Sequence, residues 1–440
     1  METGAAQPTK GAAGDGRAVS SSKASAAIIC GGWVVRNSVS SWSSSAARMM
    51  RDIVVVPPGP TQVRVKIYAA GVNPLDARRA TFGQPSGGLK SLLFGGGGSY
   101  QTNGTAGTRY AEPLFPFPYV MGIEGAGVVE SVGWEVANDG EQPYGGLRVG
   151  DRVAFISNSV QQTGGTFCQY ALLHADAVCK IPPASQDDYI DFVEAASIPF
   201  AAGAAYVALF DKLRVQPGRS IFISGASGGV GTVAVQMAKY AGLSVLASCS
   251  THNMGYVQQL GADFVFDYTS TDPTEQCLEH TQGVGVDYVL ELADAALAAQ
   301  HGGALRFGGH MCVLSGPMPN ETMNHNIFFN RQISLSYVSL TGLYSSDATR
   351  GVLRSVIQTA LQLYQAGAFR LFLETAPLER ATEALDIVAT SHTRGKIVLT
   401  NFHPSEESAD DKVVGTRRRT GAGASNETTN QRTCATGRHE

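Results

Sequence analysis

The chain has 440 residues, 43% of them hydrophobic and 16% charged, with a formal net charge of −4 at pH 7. That length suffices for two domains with cores of their own, and the slight acidity gives no reason to expect nucleic acid or an anionic membrane as partner. Seven cysteines (Cys30, Cys168, Cys179, Cys249, Cys277, Cys312, Cys434) are scattered without a C-x-x-C pair. This points to reduced thiols inside a cell rather than a disulfide framework or a zinc lobe, and no apolar run is read as reaching the ~20 residues that span a bilayer.

Residues 1–23 are rich in Gly, Ala and Ser and read as a disordered tail. Lys10, Arg17 and Lys23 are offset by Glu2 and Asp15, which makes the segment a poor organelle leader. Residues 24–185 are β-like. Positions 63–67 alternate apolar and polar, 125–133 form a glycine-bounded strand, and 149–155 form a turn followed by a strand. Short strands punctuated by glycine predict a small barrel. Within it, 83–116 is glycine-rich and aperiodic and reads as a long insertion over one face.

From 186 to 342 the pattern becomes alternating strand and helix. Strands are predicted at 221–224, 245–247, 264–266, 287–290, 311–314 and 333–338, with helices over 232–240 and ending at 256–260. Repeated β-α alternation predicts an α/β Rossmann-type doubly wound parallel sheet. Residues 343–403 carry a helix at 352–366 and a strand at 396–399 that return to the first domain. Residues 404–440 are a polar tail whose Arg417–Arg419 run reads as solvated.

The most informative segment is Gly225-Ala226-Ser227-Gly228-Gly229-Val230-Gly231, which stands between a predicted strand and a predicted helix. Glycines let a backbone turn tightly and approach a pyrophosphate, and the helix N-terminus then offers free N–H groups and a favourable dipole. With 51 glycines in the chain, the pattern gains its weight from that strand-turn-helix context. The end of the second strand reads Ser248-Cys249-Ser250-Thr251-His252 and holds no acid to repel a 2′-phosphate. Ser250 can donate a hydrogen bond to that phosphate, cap a helix, or do both. His252 adds charge when protonated. The expected cofactor is NADPH.

These segments together resemble the medium-chain dehydrogenase/reductase superfamily, in its zinc-independent quinone oxidoreductase branch. The matching stretches, in order, are Gly71–Asp76, Gly122–Gly127, Val149–Val153, Ala204–Tyr206, Gly225–Gly231, Leu260–Asp263, Asp267-Tyr268 and Gly395–Leu399. The insertion is also similar to that of the mitochondrial, reticulon-interacting members. The resemblance implies a chaperonin-10-like β-barrel catalytic domain, a Rossmann domain and an active-site cleft between them. It implies NADPH-dependent reduction of quinones or α,β-unsaturated carbonyl compounds, a homodimer, and a mitochondrial or cytoplasmic location.

Residue roles follow from the same resemblance. Ser227, Gly229 and Val230, with Gly228 and Gly231 shaping their turn, meet the cofactor pyrophosphate. Tyr268 lies beside the adenosine half. Thr393, Arg394 and Gly395 close over the cofactor, Arg394 being either a phosphate ligand or an exposed loop arginine. Leu292 stands where related chains carry an asparagine. Asn73, Ile123 and Phe200 stand where zinc alcohol dehydrogenases place metal ligands, and carbon side chains do not ligate zinc, so no metal is expected. Glu124 reads as a structural carboxylate in its turn. Asn73 and Tyr206 are the candidate catalytic donors for the acceptor oxygen. The other readings are a turn residue before Pro74 and a helix residue packed on the sheet. Phe82 falls where enoyl-thioester reductases carry a proton-donating tyrosine, which disfavours that activity. A low-turnover NADPH-binding protein acting through protein or RNA partners is the reading from another class.

Overall fold

The computed structural model describes residues 25–37, 39, 47–81, 117–137, 144–157, 164–183, 189–319, 325–345, 347–390 and 393–404. The predicted insertion at 83–116, Phe82, the tail at 1–23 and residues 405–440 lie outside the described residues. In chain order, the first eight strands are β1 (Ile28–Val35), β2 (Ala47–Val55), β3 (Gln62–Val72), β4 (Tyr119–Val120), β5 (Glu124–Val132), β6 (Arg152–Ile156), β7 (Tyr170–His174) and β8 (Val178–Lys180). Six more, β9 (Ser220–Ile223), β10 (Ser244–Cys249), β11 (Phe264–Asp267), β12 (Val286–Glu291), β13 (Leu305–Val313) and β14 (Ser334–Tyr337), precede β15 (Leu373–Pro377) and β16 (Lys396–Thr400).

The barrel half holds two sheets, a three-stranded β2-β1-β4 and a seven-stranded β15-β16-β3-β5-β6-β8 in which β7 also pairs with β3. Strand β3 follows its predicted alternation only in part. Val63, Val65 and Ile67 are fully buried, but so is Arg64 on the opposite face. Its guanidinium is satisfied by Glu130 and by the carbonyls of Ala26 and Val55, which is what makes a buried charge tolerable. The C-terminal strand β16 pairs antiparallel with β3, Ile397 opposite Val72 and Leu399 opposite Ala70. This pairing is the return predicted for that strand, and it carries the last described segment to the edge of the cleft.

The second half is a parallel sheet in the order β11-β10-β9-β12-β13-β14. The order reverses between β9 and β12, where Ile221 pairs with Tyr288 and Ile223 with Leu290. A ligand crevice opens at such a switch point, beyond the carboxyl ends of the strands.

Helix α1 (Pro74–Thr81) belongs to the barrel half, and α2 (Phe192–Tyr206) joins the two halves. A reciprocal capping box starts α2: the Glu194 N–H donates to Asp191 and the Asp191 N–H to Glu194. The helix packs on β3, β5, β6 and β16 on one side and on α3 (Gly229–Tyr240) and α6 (Asp347–Gln365) on the other. Between α3 and α6 in the chain come α4 (Met254–Gln259) and α5 (Pro273–His280). With its π-helical continuation to Lys212, α2 is long and apolar enough by composition to cross a membrane, contrary to the sequence expectation that no run reaches that length. Its Ala- and Gly-rich make-up hid the run, and its buried residues Ala195, Ala196, Ile198, Ala202 and Ala205 belong to the core shared by both halves.

Candidate active site

The glycine turn forms as the sequence requires, and each glycine has its own reason. Gly225 lies at φ +61°, a region that favours glycine. A Cβ on Gly231 would come within 2.4 Å of the Gly225 carbonyl, so helix-to-turn packing forbids one. Gly228 and Gly229 differ: a Cβ there would meet its nearest protein atom only at 3.6 and 3.4 Å. The fold itself does not demand glycine at these two positions. A Cβ there would instead fill the cradle in front of the α3 N-terminus, where the first-turn N–H groups lack intrahelical partners. That cradle suits the pyrophosphate of a dinucleotide, with Val230 in the first turn behind it.

Around the turn, three segments meet at Asn253, which is 5% exposed. Its amide nitrogen donates to Ser227 Oγ at 3.1 Å and to Ser250 Oγ at 3.4 Å. Its oxygen accepts from Arg394 Nε at 2.7 Å, and Arg394 Nη2 also donates to the His252 carbonyl. Ser250 sits at the N-cap position of the short 3-10 turn Thr251–Asn253, but its hydroxyl makes no capping bond. Of the two roles open to Ser250, the capping bond is not made, and the hydroxyl accepts from Asn253 instead. Gly395, at φ +62°, donates its N–H to the Ser227 carbonyl at 3.1 Å and ties the returning strand to the glycine turn. Thr393 is half-buried beside it. Tyr268 is 51% exposed just past β11, its N–H on the Cys249 carbonyl. Asp267, next to it, accepts from Thr251 and Thr269, and these hydroxyls hold its carboxyl below the usual carboxylate range.

Asn253 was not singled out by sequence reasoning. The one available signal was its place three residues after Ser250, a short polar residue where a turn would end. The carboxylate that builds the turn after β12 also escaped. Glu291 is fully buried against His301 Nδ1 and accepts from Ser224 Oγ at 2.6 Å and from the N–H groups of Ala293 and Asp294. Ser224 Oγ in turn accepts the Leu292 N–H at 2.9 Å. At Leu292 the backbone is fixed while the side chain offers no polar group.

The barrel side of the cleft holds a buried polar cluster. Asn73 is 4% exposed, Glu124 0% and Lys396 6%. Lys396 Nζ pairs with Glu124 Oε1 and donates to Asn73 Oδ1 at 2.6 Å. Asn73 Nδ2 donates to Glu124 Oε1 at 2.8 Å, and the Phe200 N–H donates to Glu124 Oε2 at 2.8 Å. Gly71 admits this carboxylate, since a Cβ there would stand 2.5 Å from Glu124 Oε1. Glu124 is thus more than the turn carboxylate expected from sequence: it opens β5 and is the anion of a buried ion pair. The Asn73 N–H donates to Asp76 Oδ2 at 2.9 Å, and burial pushes the Asp76 carboxyl up to about 7 against the pull of Arg79, the Asn73 N–H and Lys396.

Tyr206 ends α2, half-buried, its ring 5.6 Å from that of Phe210. Its hydroxyl makes no hydrogen bond to a described residue. It stands six residues beyond Phe200, about 9 Å along the helix axis. The structure therefore brings Asn73 into a cluster with Lys396 and Glu124, and leaves Tyr206 apart from that cluster. Across the cleft, Arg78 of α1 donates to the Ser315 carbonyl just beyond β13.

No group of three or more His, Cys, Asp and Glu side chains suited to a metal gathers among the described residues. The donor set at the position where zinc dehydrogenases bind their metal does not fit zinc. Ile123 is fully buried carbon, the Asn73 Oδ1 already takes the Lys396 ammonium, and the Glu124 charge is neutralised by Lys396.

Comparison with known proteins supports the fold. Residues 59–183 match the alcohol dehydrogenase GroES-like domain and residues 260–399 the zinc-binding dehydrogenase domain. The quinone oxidoreductase of Sus scrofa is 27% identical over 361 residues, covering 80% of this chain and 93% of that protein. An alcohol dehydrogenase of Geobacillus stearothermophilus is 30% identical over 312 residues, covering 65% and 85%. Among solved structures, an alcohol dehydrogenase superfamily protein from Novosphingobium aromaticivorans superposes with a TM-score of 0.66 at 26% identity, covering 84% of this chain and 99% of that one. With its GroES-like barrel, its parallel nucleotide-binding sheet and these relatives, the chain belongs to the medium-chain dehydrogenase/reductase superfamily of oxidoreductases.

Proposed function

We propose that the protein is an NADPH-dependent reductase of quinones or α,β-unsaturated carbonyl compounds that works without a catalytic zinc. The observation that carries the cofactor choice is the set Ser227, Ser250 and Arg394 gathered on Asn253, with no acid at the end of β10. A serine hydroxyl and a guanidinium at that point favour a 2′-phosphate. Asp267 bears on the same region with opposite sign, but the Thr251 and Thr269 hydroxyls occupy its carboxylate. The relatives named quinone oxidoreductase support the choice of acceptor.

The cofactor supplies hydride from its nicotinamide ring. The rest falls to the chain. Ser227, Gly228, Gly229, Val230 and Gly231 seat the pyrophosphate, Thr393 and Gly395 close the cleft, and Tyr268 borders the adenosine half. As hydride reaches an electrophilic carbon, charge develops on the acceptor oxygen and needs a donor. Asn73 has one Nδ2 hydrogen fixed on Glu124 at 2.8 Å. Its other hydrogen-bond contact from Nδ2, to the Gly71 carbonyl, is long at 3.4 Å. That second hydrogen, held only by this long contact, is the one we assign to an acceptor oxygen. Tyr206 supplies a second donor from the end of α2. The protein is further proposed to act as a homodimer inside cells.

The test is oxidation of NADPH with a panel of quinones and enones. Asn73→Ala and Tyr206→Phe are expected to lower turnover by about 10²–10³ where water does not replace the donor, with NADPH affinity nearly unchanged. Tight NADPH binding without turnover on any acceptor would favour a cofactor-binding protein acting through partners.

A further inference from the structure

The buried ion pair in the cleft has a use beyond filling a metal's place. The Lys396 side chain begins in the cofactor cleft, where its Cδ lies 3.7 Å from the position of a Cβ on Gly229, and ends in the barrel on Glu124 and Asn73. An amide has two ends and can sit either way round. Here each end is specified: only an acceptor can take the Lys396 ammonium, so Oδ1 faces Lys396, and only a donor can face Glu124, so Nδ2 does. Asp76 fixes the backbone of the same residue. Hydrogen-bond chains also polarise their members, so an ammonium on Oδ1 makes Nδ2–H a better donor.

We propose that Lys396 is a positioning residue that, with Glu124, locks the Asn73 amide so that its second Nδ2 hydrogen, whose contact with the Gly71 carbonyl is long at 3.4 Å, is presented to the acceptor oxygen. The inference rests on the reading of Asn73 as that oxygen's donor. Lys396 itself does not touch the acceptor. No proton leaves it, and the developing charge is met by the donors proposed above, Asn73 and Tyr206.

The test is a double-mutant cycle on the full chain, read as kcat and KM for a 1,2-quinone and as NADPH Kd by fluorescence. Lys396→Met is expected to lower kcat about 10- to 100-fold with Kd for NADPH held within a few-fold, and Lys396→Arg to recover part of the loss. In an Asn73→Ala background, Lys396→Met is expected to cost nothing further, because residues that act as a unit are not additive. Glu124→Gln combined with Lys396→Met removes both charges together and serves where the single variant fails to fold. Full turnover in Lys396→Met, or losses that multiply with Asn73→Ala, would overturn the role of Lys396 while leaving that of Asn73 standing. Full turnover in Asn73→Ala would overturn the parent reading instead. If the wild type reduces no acceptor, hydrogen exchange of the Asn73 side-chain amide in 15N-Asn protein decides. The lock predicts slow exchange in the wild type and fast exchange in Lys396→Met, and equal rates would overturn it.

Discussion

Arg394 Nε and Asn253 Oδ1 meet at 2.7 Å although 141 residues separate them in the chain. This bond brings the C-terminal return, where Arg394 leads into β16, to the end of the second nucleotide-binding strand. A guanidinium that no local spacing placed near Ser250 is thereby held beside it. The arrangement gives a strand end without its own lysine or arginine a positive charge, the one the proposed 2′-phosphate contact would use.

The first prediction follows from that bond. Arg394→Ala is expected to weaken NADPH binding by about 10- to 100-fold, the range of a charge-assisted hydrogen bond, and to change NADH binding by no more than a few-fold. Ser250→Asp is expected to act in the same direction through like-charge repulsion. Fluorescence titration of each variant with both nucleotides measures the ratio. Equal wild-type affinities for the two would remove the argument for NADPH.

The glycines of the turn give a second prediction, because two neighbours should fail in different ways. Gly231→Ala places a methyl group 2.4 Å from the Gly225 carbonyl, and overpacking of this kind costs about 1–3 kcal/mol. Its melting temperature should fall. Gly228→Ala meets no protein atom closer than 3.6 Å, so it should melt near the wild type yet lose affinity for the nucleotide. Thermal melts with and without NADPH distinguish the two: ligand should raise the melting temperature of the wild type clearly and that of Gly228→Ala hardly at all.

Much of this was legible in the sequence, and the reasons are local. Strands β9 to β14 announce themselves by short apolar runs, and the glycine turn by its position between β9 and α3. The family motifs placed Asn73, Ser250 and Arg394 near the cleft. The partners that hold them were not legible. Glu124 and Lys396 are 272 residues apart, and nothing in either segment records that they form a buried pair. Asn253 looked like an ordinary polar residue because its value lies mainly in two contacts with distant segments, Ser227 and Arg394. The apolar length of α2 was missed for a compositional reason: alanines and glycines make a buried helix without the large residues that draw attention.

A third prediction concerns pH. The Asp76 carboxyl is pushed up to about 7 by burial, above the ordinary aspartate value of roughly 4. Between those values the folded protein holds a proton that the unfolded chain has lost. Stability from this group is therefore greatest at low pH and declines as pH rises through 7. Asp76→Asn keeps an acceptor for the Asn73 N–H and removes the titration. Urea midpoints at pH 5 and pH 8 should show the variant gaining on the wild type at the higher pH, by on the order of 1–3 kcal/mol. A variant-minus-wild-type difference that is flat with pH would count against an ionisable Asp76. Comparing the variant with the wild type at each pH cancels the opposite trend of the depressed carboxylates, Asp263 beside Lys239 and Asp287 beside Arg306.

The last prediction concerns metal. A catalytic zinc needs three nitrogen, sulfur or oxygen ligands with lone pairs to spare. At the place where related dehydrogenases hold it, Ile123 has none, and Phe200 contributes only a backbone N–H, already donated to Glu124. Glu124 and Asn73 Oδ1 are the oxygen atoms left, and a zinc ion would have to displace Lys396 from both and break the bonds that orient Asn73. Elemental analysis of purified, tag-free protein should find far less than one zinc per chain, and a chelator should leave NADPH oxidation unchanged. Added zinc should not raise the melting temperature. Stoichiometric zinc whose removal abolishes turnover would mean that the Lys396–Glu124 pair opens in solution, and the positioning role of Lys396 would fall with it. Persistence of activity in chelator, together with a lowered kcat in Lys396→Met, is the pattern expected of a metal-free site in which Lys396 positions Asn73.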